Sequence, residues 1–236
     1  MLLAVLMNPL TGSATWSVIA VDKSTGQVII ASATCVPQAR FPPRPSRDLM
    51  DIQAVIVPGV GVAACQAGAD PTRENQKLVY EELKKGTEPA RIIELLREHE
   101  SRKSEPQMER RQFGIVDLQG RSAGFNGTEN NQASLFVSGE VGDVIFFQVQ
   151  GNILFSDGVA YDAALAFTRA KGTLADRVMA AMEGADLAGG RSPPAAARRL
   201  RLEALPWRPG SARRDPEALR RRGRGVTRLD CRPWDA

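Results

Sequence analysis

Histidine is almost absent from this sequence, since His99 is the only one among 236 residues. A metal site with two histidine ligands is therefore excluded, and a histidine-based catalytic triad could draw on His99 alone. His99 lies in the charged run Arg97-Glu98-His99-Glu100, and we interpret it as a solvent-exposed cation at the end of a helix. We expect no metal ion and no cofactor.

Cysteine and long apolar runs are also scarce. The three cysteines, Cys35, Cys65 and Cys231, form no Cys-x-x-Cys pair of the kind found in zinc and redox sites. Cys35 and Cys65 could form a disulfide in an oxidising compartment or remain two buried thiols. No run of 18 apolar residues is present, so we expect no membrane span.

The net charge of +4 is unevenly distributed along the chain. Residues 191–236 contain 13 Arg, no Lys and five acidic residues, a net charge of +8, whereas residues 1–190 carry −4. We interpret residues 191–236 as a disordered tail or as a stretch translated out of frame. The alternative is an arginine-rich arm that binds nucleic acid. We favour the first two interpretations and expect no nucleic-acid partner.

Residues 1–14 have some features of a secretory signal peptide. The apolar run MLLAVLM is followed by Gly12 and Ala14, small residues at the positions that signal peptidase reads. The run is short and lacks a positively charged start, so the segment is either a truncated signal peptide or an ordinary leader. The first alternative predicts a periplasmic or secreted protein whose first residue is Thr15, and the second a cytoplasmic protein.

The hydrophobic periodicity divides residues 15–190 into groups of strands and pairs of helices. It predicts strands at residues 16–22, 27–34, 53–57, 60–66, 112–117, 121–125 and 144–150. It predicts helices at residues 72–85, 87–98, 158–170 and 173–183. Strands and helices segregated in this way indicate an α+β domain with helices layered on antiparallel sheets.

One nucleophilic arrangement needs no histidine. A threonine at the amino terminus uses its own α-amine, with an ordinary pKa of roughly 7.7–8.0, to take the proton from its hydroxyl. Removal of residues 1–14 would make Thr15 such a residue. The reaction also needs a hydrogen-bond donor for the developing oxyanion. We predict that Asn152 is that donor. The alternative is that Asn152 is an ordinary polar residue at the end of a strand.

Several segments, in this order and spacing, resemble the domain of unknown function 1028 family, which is regarded as N-terminal-nucleophile (Ntn) hydrolase-like. The resemblance extends from Thr15 to about Gly190. The segments that carry it are TWSVIAVD at 15–22, Ala31-Ser32, ACQAG at 64–68, RQFGIVD at 111–117, Gly120-Arg121 and VQGNIL at 149–154.

The resemblance implies a four-layer αββα sandwich of two antiparallel sheets flanked by helices. It places Thr15 at the start of the first inner strand, with Ser32 and Asn152 facing it as further catalytic residues. Gln66 and Asn75 would line the substrate pocket. The implied reaction is hydrolysis of an amide bond in a small-molecule or peptide-like substrate, and we expect a homo-oligomer. The alternative is a binding protein that uses the same scaffold without catalysis.

The carboxyl-terminal part departs from the family. Members follow the Gly-Gly pair, here at 189–190, with a polar turn and an apolar terminal strand, whereas this chain has the arginine-rich segment there. Without that strand, a neighbouring strand would keep an unpaired, aggregation-prone edge.

Overall fold

The computed structural model describes residues 14–36, 48–68, 70–131, 133–189 and 201–205. Most of the predicted leader, and all of the predicted tail apart from residues 201–205, lie outside the described residues. The elements in chain order are β1 (Thr15–Asp22), β2 (Gln27–Thr34), α1 (Leu49–Gln53), β3 (Ala54–Val57), β4 (Gly61–Gln66), α2 (Glu74–Lys85), α3 (Pro89–Ser101), β5 (Gln112–Asp117), β6 (Ser122–Asn126), β7 (Leu135–Val141), β8 (Ile145–Asn152), α4 (Gly158–Arg169), α5 (Leu174–Gly189) and β9 (Arg201–Leu205).

The described strands form two antiparallel sheets. The first has the order β7-β8-β1-β2-β9 and the second the order β3-β4-β5-β6. Every paired strand in both sheets is antiparallel. The predicted α+β class with antiparallel sheets is therefore confirmed.

The buried apolar residues form three clusters. In one, β1, β2 and β8 pack against α4 and α5, with Phe147 stacked on Phe167 at a centroid distance of 4.0 Å. In another, β3 to β6 pack against α2 and α3. The third, which includes Ile19, Ile30 and Val62, fills the space between the two sheets. The two sheets thus face each other, and the part of the space between them that holds Ile19, Ile30 and Val62 is apolar.

The space between the two sheets changes from apolar to polar along strand β1. Its alternate residues Trp16, Val18 and Ala20 belong to the cluster that faces α4 and α5. Ile19, on the opposite face, belongs to the cluster between the sheets. Ser17 continues that inner face towards the start of the strand, as the period of two in a strand requires, and is fully buried. The interior between the sheets is therefore polar at the end where Thr15 lies.

Two elements differ from the sequence prediction near this polar end. The predicted strand 53–57 begins at Ala54, because Gln53 instead ends the short helix α1. Asp48 caps that helix by accepting hydrogen bonds from the backbone N–H groups of Met50 and Asp51, at 2.9 and 3.2 Å. Strand β7, which was not predicted, is an edge strand whose residues alternate between half-buried and exposed.

Strand β9 lies inside the arginine-rich segment. It pairs with β2 in antiparallel register from Val28 opposite Leu205 to Ser32 opposite Arg201. A terminal strand therefore covers the edge of β2 that the sequence analysis left open, and the folded sheet extends beyond the expected boundary at residue 190. None of the helices in the described ranges combines the length and apolarity needed to cross a membrane.

Candidate active site

Thr15 is the first residue of β1, a strand in the middle of its sheet. The register places Thr15 opposite Thr34 on β2 and opposite Asn152 on β8. The Thr15 and Thr34 hydroxyls hydrogen-bond at 2.7 Å between their Oγ1 atoms. Thr34 Oγ1 also accepts the backbone N–H of Val36 at 3.2 Å. The Thr15 hydroxyl is thus held by a neighbour that is itself held by the backbone.

A pocket of about 230 Å³ lies beside Thr15. Its described lining combines aliphatic side chains with hydroxyl and amide groups. The polar part of this lining consists of Thr15, Thr34, Gln53, Gln66 and Asn152, and the aliphatic part includes Val36, Leu49, Ile52 and Ile153. Carboxamide and hydroxyl groups, rather than charges, are therefore the polar groups next to Thr15 within the described residues.

The amide of Gln66 links the two sheets behind the pocket. Gln66 Oε1 accepts a hydrogen bond from Ser17 Oγ at 2.6 Å. Gln66 Nε2 donates to Gln112 Oε1 at 2.6 Å and to Asn152 Oδ1 at 3.2 Å. The carbonyl oxygen of the Asn152 amide is therefore occupied. Asn152 Nδ2 has no hydrogen-bond partner among the described residues, so it remains available as a donor at the pocket.

The amide of Gln112 holds the neighbouring strand ends together. Gln112 Nε2 donates to Gly151 O at 2.8 Å, to Asn126 Oδ1 at 3.1 Å and to Leu135 O at 3.2 Å. Gly151 immediately precedes Asn152, so this bond restrains the position of the candidate oxyanion donor. Networks of this kind preorganise a site because every member limits the movement of the next.

Two pocket residues have backbone conformations that side chains other than glycine rarely adopt. Ala67 has φ of 56° and Ile153 has φ of 55°, and both line the pocket. The left-handed region is especially unfavourable for a β-branched residue such as Ile153. Strained backbone of this kind concentrates at functional sites, so these angles independently mark the same pocket.

The predicted site residues do not all meet at this pocket. Thr15, Asn152 and Gln66 do, as the contacts above show. Ser32 lies two residue pairs further along the strands, opposite Ser17, and its hydroxyl bonds to Ser17 Oγ at 2.8 Å. Thr34, which the sequence analysis missed, contacts the Thr15 hydroxyl instead. Residues two apart on a strand share a face, and Thr34 is two residues after Ser32. This spacing was the sequence signal that Thr34 also lies on the inner face of β2.

Asn75 belongs to a separate polar cluster at the first turn of α2. Asn75 Nδ2 donates to Glu100 Oε1 at 2.7 Å, and the backbone N–H of Asn75 donates to Asp70 Oδ2 at 3.0 Å. Asn75 lines a second cavity of about 10 Å³, which shares Gln66 and Ala67 with the larger pocket. Asn75 therefore does not line the pocket beside Thr15, and its role in binding a substrate stays a prediction.

The carboxylates of this cluster are stabilised as anions. Burial alone would raise the pKa of Glu100, but hydrogen bonds from Lys103, Asn75 and the Gln107 N–H outweigh it and hold the pKa below its usual range. Burial opposes ionisation of Asp70 too, yet bonds from the Asn75 N–H and from Thr72 lower its pKa. Neither residue lines the pocket beside Thr15.

Cys65 and His99 lie outside the site. Cys65 is a free, buried thiol, so it does not form the disulfide with Cys35 that the sequence left open. Burial raises the pKa of Cys65 to about 12, which leaves no reactive thiolate at neutral pH. His99, in the last turn of α3, has its Nε2 3.5 Å from Glu74 Oε2.

The fold resembles a solved structure, and the sequence matches a family. The crystal structure of protein SPO2555 from Silicibacter pomeroyi, itself matched to DUF1028, has a TM-score of 0.61 and 22% identity, covering 92% of this chain and 88% of that chain. At this identity the likeness shows the fold alone. No curated protein matches the chain. The family model of DUF1028, a family of unknown function, matches residues 15–204. Because this match covers most of the sequence, the chain belongs to the DUF1028 family.

Proposed function

We propose that this protein is an Ntn-type amidohydrolase built as a four-layer αββα sandwich, with Thr15 as its nucleophile. The packing of α4 and α5 on one sheet and of α2 and α3 on the other supports the layer order. The observation that carries the proposal is the position of Thr15. It begins a central strand beside a pocket and lies opposite an asparagine with an uncommitted amide donor.

The proposed reaction starts only after the bond between Ala14 and Thr15 is broken. In the uncleaved chain the Thr15 nitrogen is an amide and takes up no proton at neutral pH. Once free, the α-amine accepts the hydroxyl proton while Thr15 Oγ1 attacks the substrate carbonyl carbon. The C–N bond then breaks, and the amine product leaves with that proton. Water hydrolyses the resulting ester, releasing the carboxylic acid and restoring Thr15.

Asn152 has the role of stabilising the oxyanion in this proposal. Negative charge develops on the substrate carbonyl oxygen during the attack, and a donor already in place stabilises it without reorganisation. Gln66 occupies Asn152 Oδ1, which fixes the amide plane with Nδ2 uncommitted. Removing one such donor lowers kcat by about 10² to 10³ in well-studied hydrolases, so we expect a loss of this size in Asn152→Ala.

The biological setting belongs to the same proposal. Export to the periplasm or the medium would remove residues 1–14 and expose the Thr15 amine. The substrate would be a small-molecule or peptide-like amide bound by one subunit of a homo-oligomer. The proposal involves no cofactor, membrane or nucleic acid.

The test compares a chain that begins at Thr15 with one that begins at Ala14. Each is treated with a β-lactone, which acylates a nucleophilic hydroxyl with the gain of the whole probe mass, and the adduct is mapped by mass spectrometry. We expect an ester on Thr15 only in the chain that begins with it. Thr15→Ser should retain labelling and Thr15→Ala should lose it. Thr25→Ala, in the exposed turn after β1, is the matched control and should label normally.

Two results would contradict catalysis at Thr15. One is equal labelling of Thr15 in the chain that retains Ala14, because that chain has no free amine to act as the base. The other is an unchanged cellular function in Thr15→Ala, which would favour the non-catalytic binding role.

A further inference from the structure

Gln53 is a pocket residue whose side chain has an unused hydrogen-bond acceptor. It ends α1 and lines the pocket together with Thr15. The side chain is 4% exposed, and Oε1 is buried without a partner among the described residues. A buried polar atom without a partner destabilises the folded protein, because it has lost its hydrogen bonds to water. Native structures pair most buried polar atoms, and Gln53 Oε1 is the one among the unpartnered atoms of the described residues that belongs to a residue of this pocket, where a ligand with a donor would pair it.

The side-chain amides of Gln66 and Asn152 differ in which of their atoms remain free to bond a ligand. Both ends of the Gln66 amide are committed, to Ser17 on one side and to Gln112 and Asn152 on the other. Asn152 has an occupied oxygen and an uncommitted Nδ2. Among the described residues, the lining therefore includes an uncommitted donor on Asn152 and an unpartnered acceptor on Gln53.

This pair of groups is complementary to an amide. A secondary or primary amide has one carbonyl oxygen to accept a hydrogen bond and at least one N–H to donate. An ester or a tertiary amide of the same shape has the oxygen but no N–H, so it would leave Gln53 Oε1 buried and unpaired. Sites built to bond a substrate N–H discriminate strongly against analogues that lack it, for this reason.

We infer that Gln53 is a specificity-determining residue that accepts a hydrogen bond from a substrate N–H, so that the pocket selects N–H-bearing amides over esters and tertiary amides. The inference rests on the proposed function, because that proposal identifies the pocket as the place where the scissile group binds. A volume of about 230 Å³ is below the roughly 300–1,000 Å³ typical of drug-sized ligands, so the group that enters is compact.

The test measures binding without chemistry. Ligand-observed NMR on the chain beginning at residue 15 with Thr15→Ala gives dissociation constants for propanamide, N-methylpropanamide, N,N-dimethylpropanamide and methyl propanoate. We expect the two N–H-bearing amides to bind about tenfold more tightly than the other two. Gln53→Met, which keeps the size of the side chain but removes the acceptor, should abolish this preference. Gln53→Glu, which keeps an acceptor, should retain it.

The controls separate this inference from loss of folding and from the proposed function. Gln119→Met changes an exposed glutamine outside the pocket and should keep the preference, and near-UV circular dichroism checks that each variant is folded. Failure of the β-lactone to label Thr15 would overturn the hydrolase and leave the binding preference intact. Equal or absent binding of propanamide and methyl propanoate, or a preference unchanged in Gln53→Met, would overturn the role of Gln53.

Discussion

Thr34 holds the Thr15 hydroxyl by a hydrogen bond, so in the proposed reaction it is a positioning residue. Thr34→Val keeps the side-chain shape but removes the 2.7 Å hydrogen bond between the two Oγ1 atoms. A typical hydrogen bond contributes about 1 kcal/mol, so we expect the rate of Thr15 acylation by the β-lactone to fall roughly fivefold. Thr34→Ser should restore the rate. Equal rates in the valine and serine variants would show that the bond does not position Thr15.

Cys65 illustrates how burial removes reactivity from a single residue. The pKa of its thiol is raised to about 12, mainly by burial, and iodoacetamide reacts with the thiolate. We expect no carbamidomethyl group on Cys65 when the folded protein is treated at pH 8 and complete modification in urea, as mapped by mass spectrometry. Modification of Cys65 in the folded chain at the rate seen in urea would contradict the burial.

At the scale of elements, β8 lies against glycines of the facing sheet. Gln148 and Gln150 are fully buried. A Cβ at Gly114 on β5 would lie 2.7 Å from Gln148 Oε1 and closer still to Gln150 Oε1. We expect Gly114→Ala to lower the free energy of unfolding by about 1–3 kcal/mol in urea denaturation, because the displaced Gln150 also loses its bond to Ala64 O at 3.1 Å.

The matched control for this substitution is Gly158→Ala at the start of α4. A Cβ there would meet only Ser156 Oγ, at 3.2 Å, and alanine favours a helix. Its stability should therefore be unchanged or slightly increased. Equal stability of Gly114→Ala and the wild type would mean that the two glutamines move freely inside the sheet interface.

Helices α2 and α3 are joined through the buried carboxylate of Glu100, which bonds to Asn75, Lys103 and the Gln107 N–H. Because the folded pKa of Glu100 is lowered, its contribution to stability is present above the pKa of the unfolded chain and is lost as the pH falls. Glu100→Gln should lower the free energy of unfolding by about 1–3 kcal/mol at pH 7. This difference should shrink below about pH 4.3.

Urea denaturation at several pH values measures the effect, with Glu105→Gln as the control because Glu105 is exposed. That control should change stability little at any pH. A difference between Glu100→Gln and the wild type that is constant from pH 7 to pH 3 would contradict the ionised state of Glu100.

At the scale of the whole molecule, β9 covers one edge of the first sheet. A chain that ends after residue 189 lacks β9 and exposes the backbone N–H and C=O groups of β2. Exposed strand edges promote pairing between molecules. We expect this chain to form larger species in size-exclusion chromatography and to melt at a lower temperature than a chain that ends after residue 205. Identical behaviour of the two chains would show that β9 contributes nothing to the sheet.

The sequence predicted much of the local structure. The alternation in β1 and β2, the turn between them and the amphipathic patterns of α2 to α5 indicated the α+β class. Local signals did not find β7, because an edge strand with exposed alternate residues lacks a strong apolar pattern. They also missed β9, because the arginine-rich composition around it favours an unstructured tail.

Part of the candidate site could likewise be predicted from the sequence, and part could not. By itself, the sequence predicted that Gln66 ends a strand and that Thr15 and Asn152 lie next to the ends of strands 16–22 and 144–150, because the period of a strand is local. Only the tertiary structure decided that Thr34 rather than Ser32 meets Thr15, that Gln53 lines the pocket and that Asn75 bonds to Glu100. These contacts depend on the register between strands and on how the two sheets stack, and both are set by packing between residues that are distant along the chain.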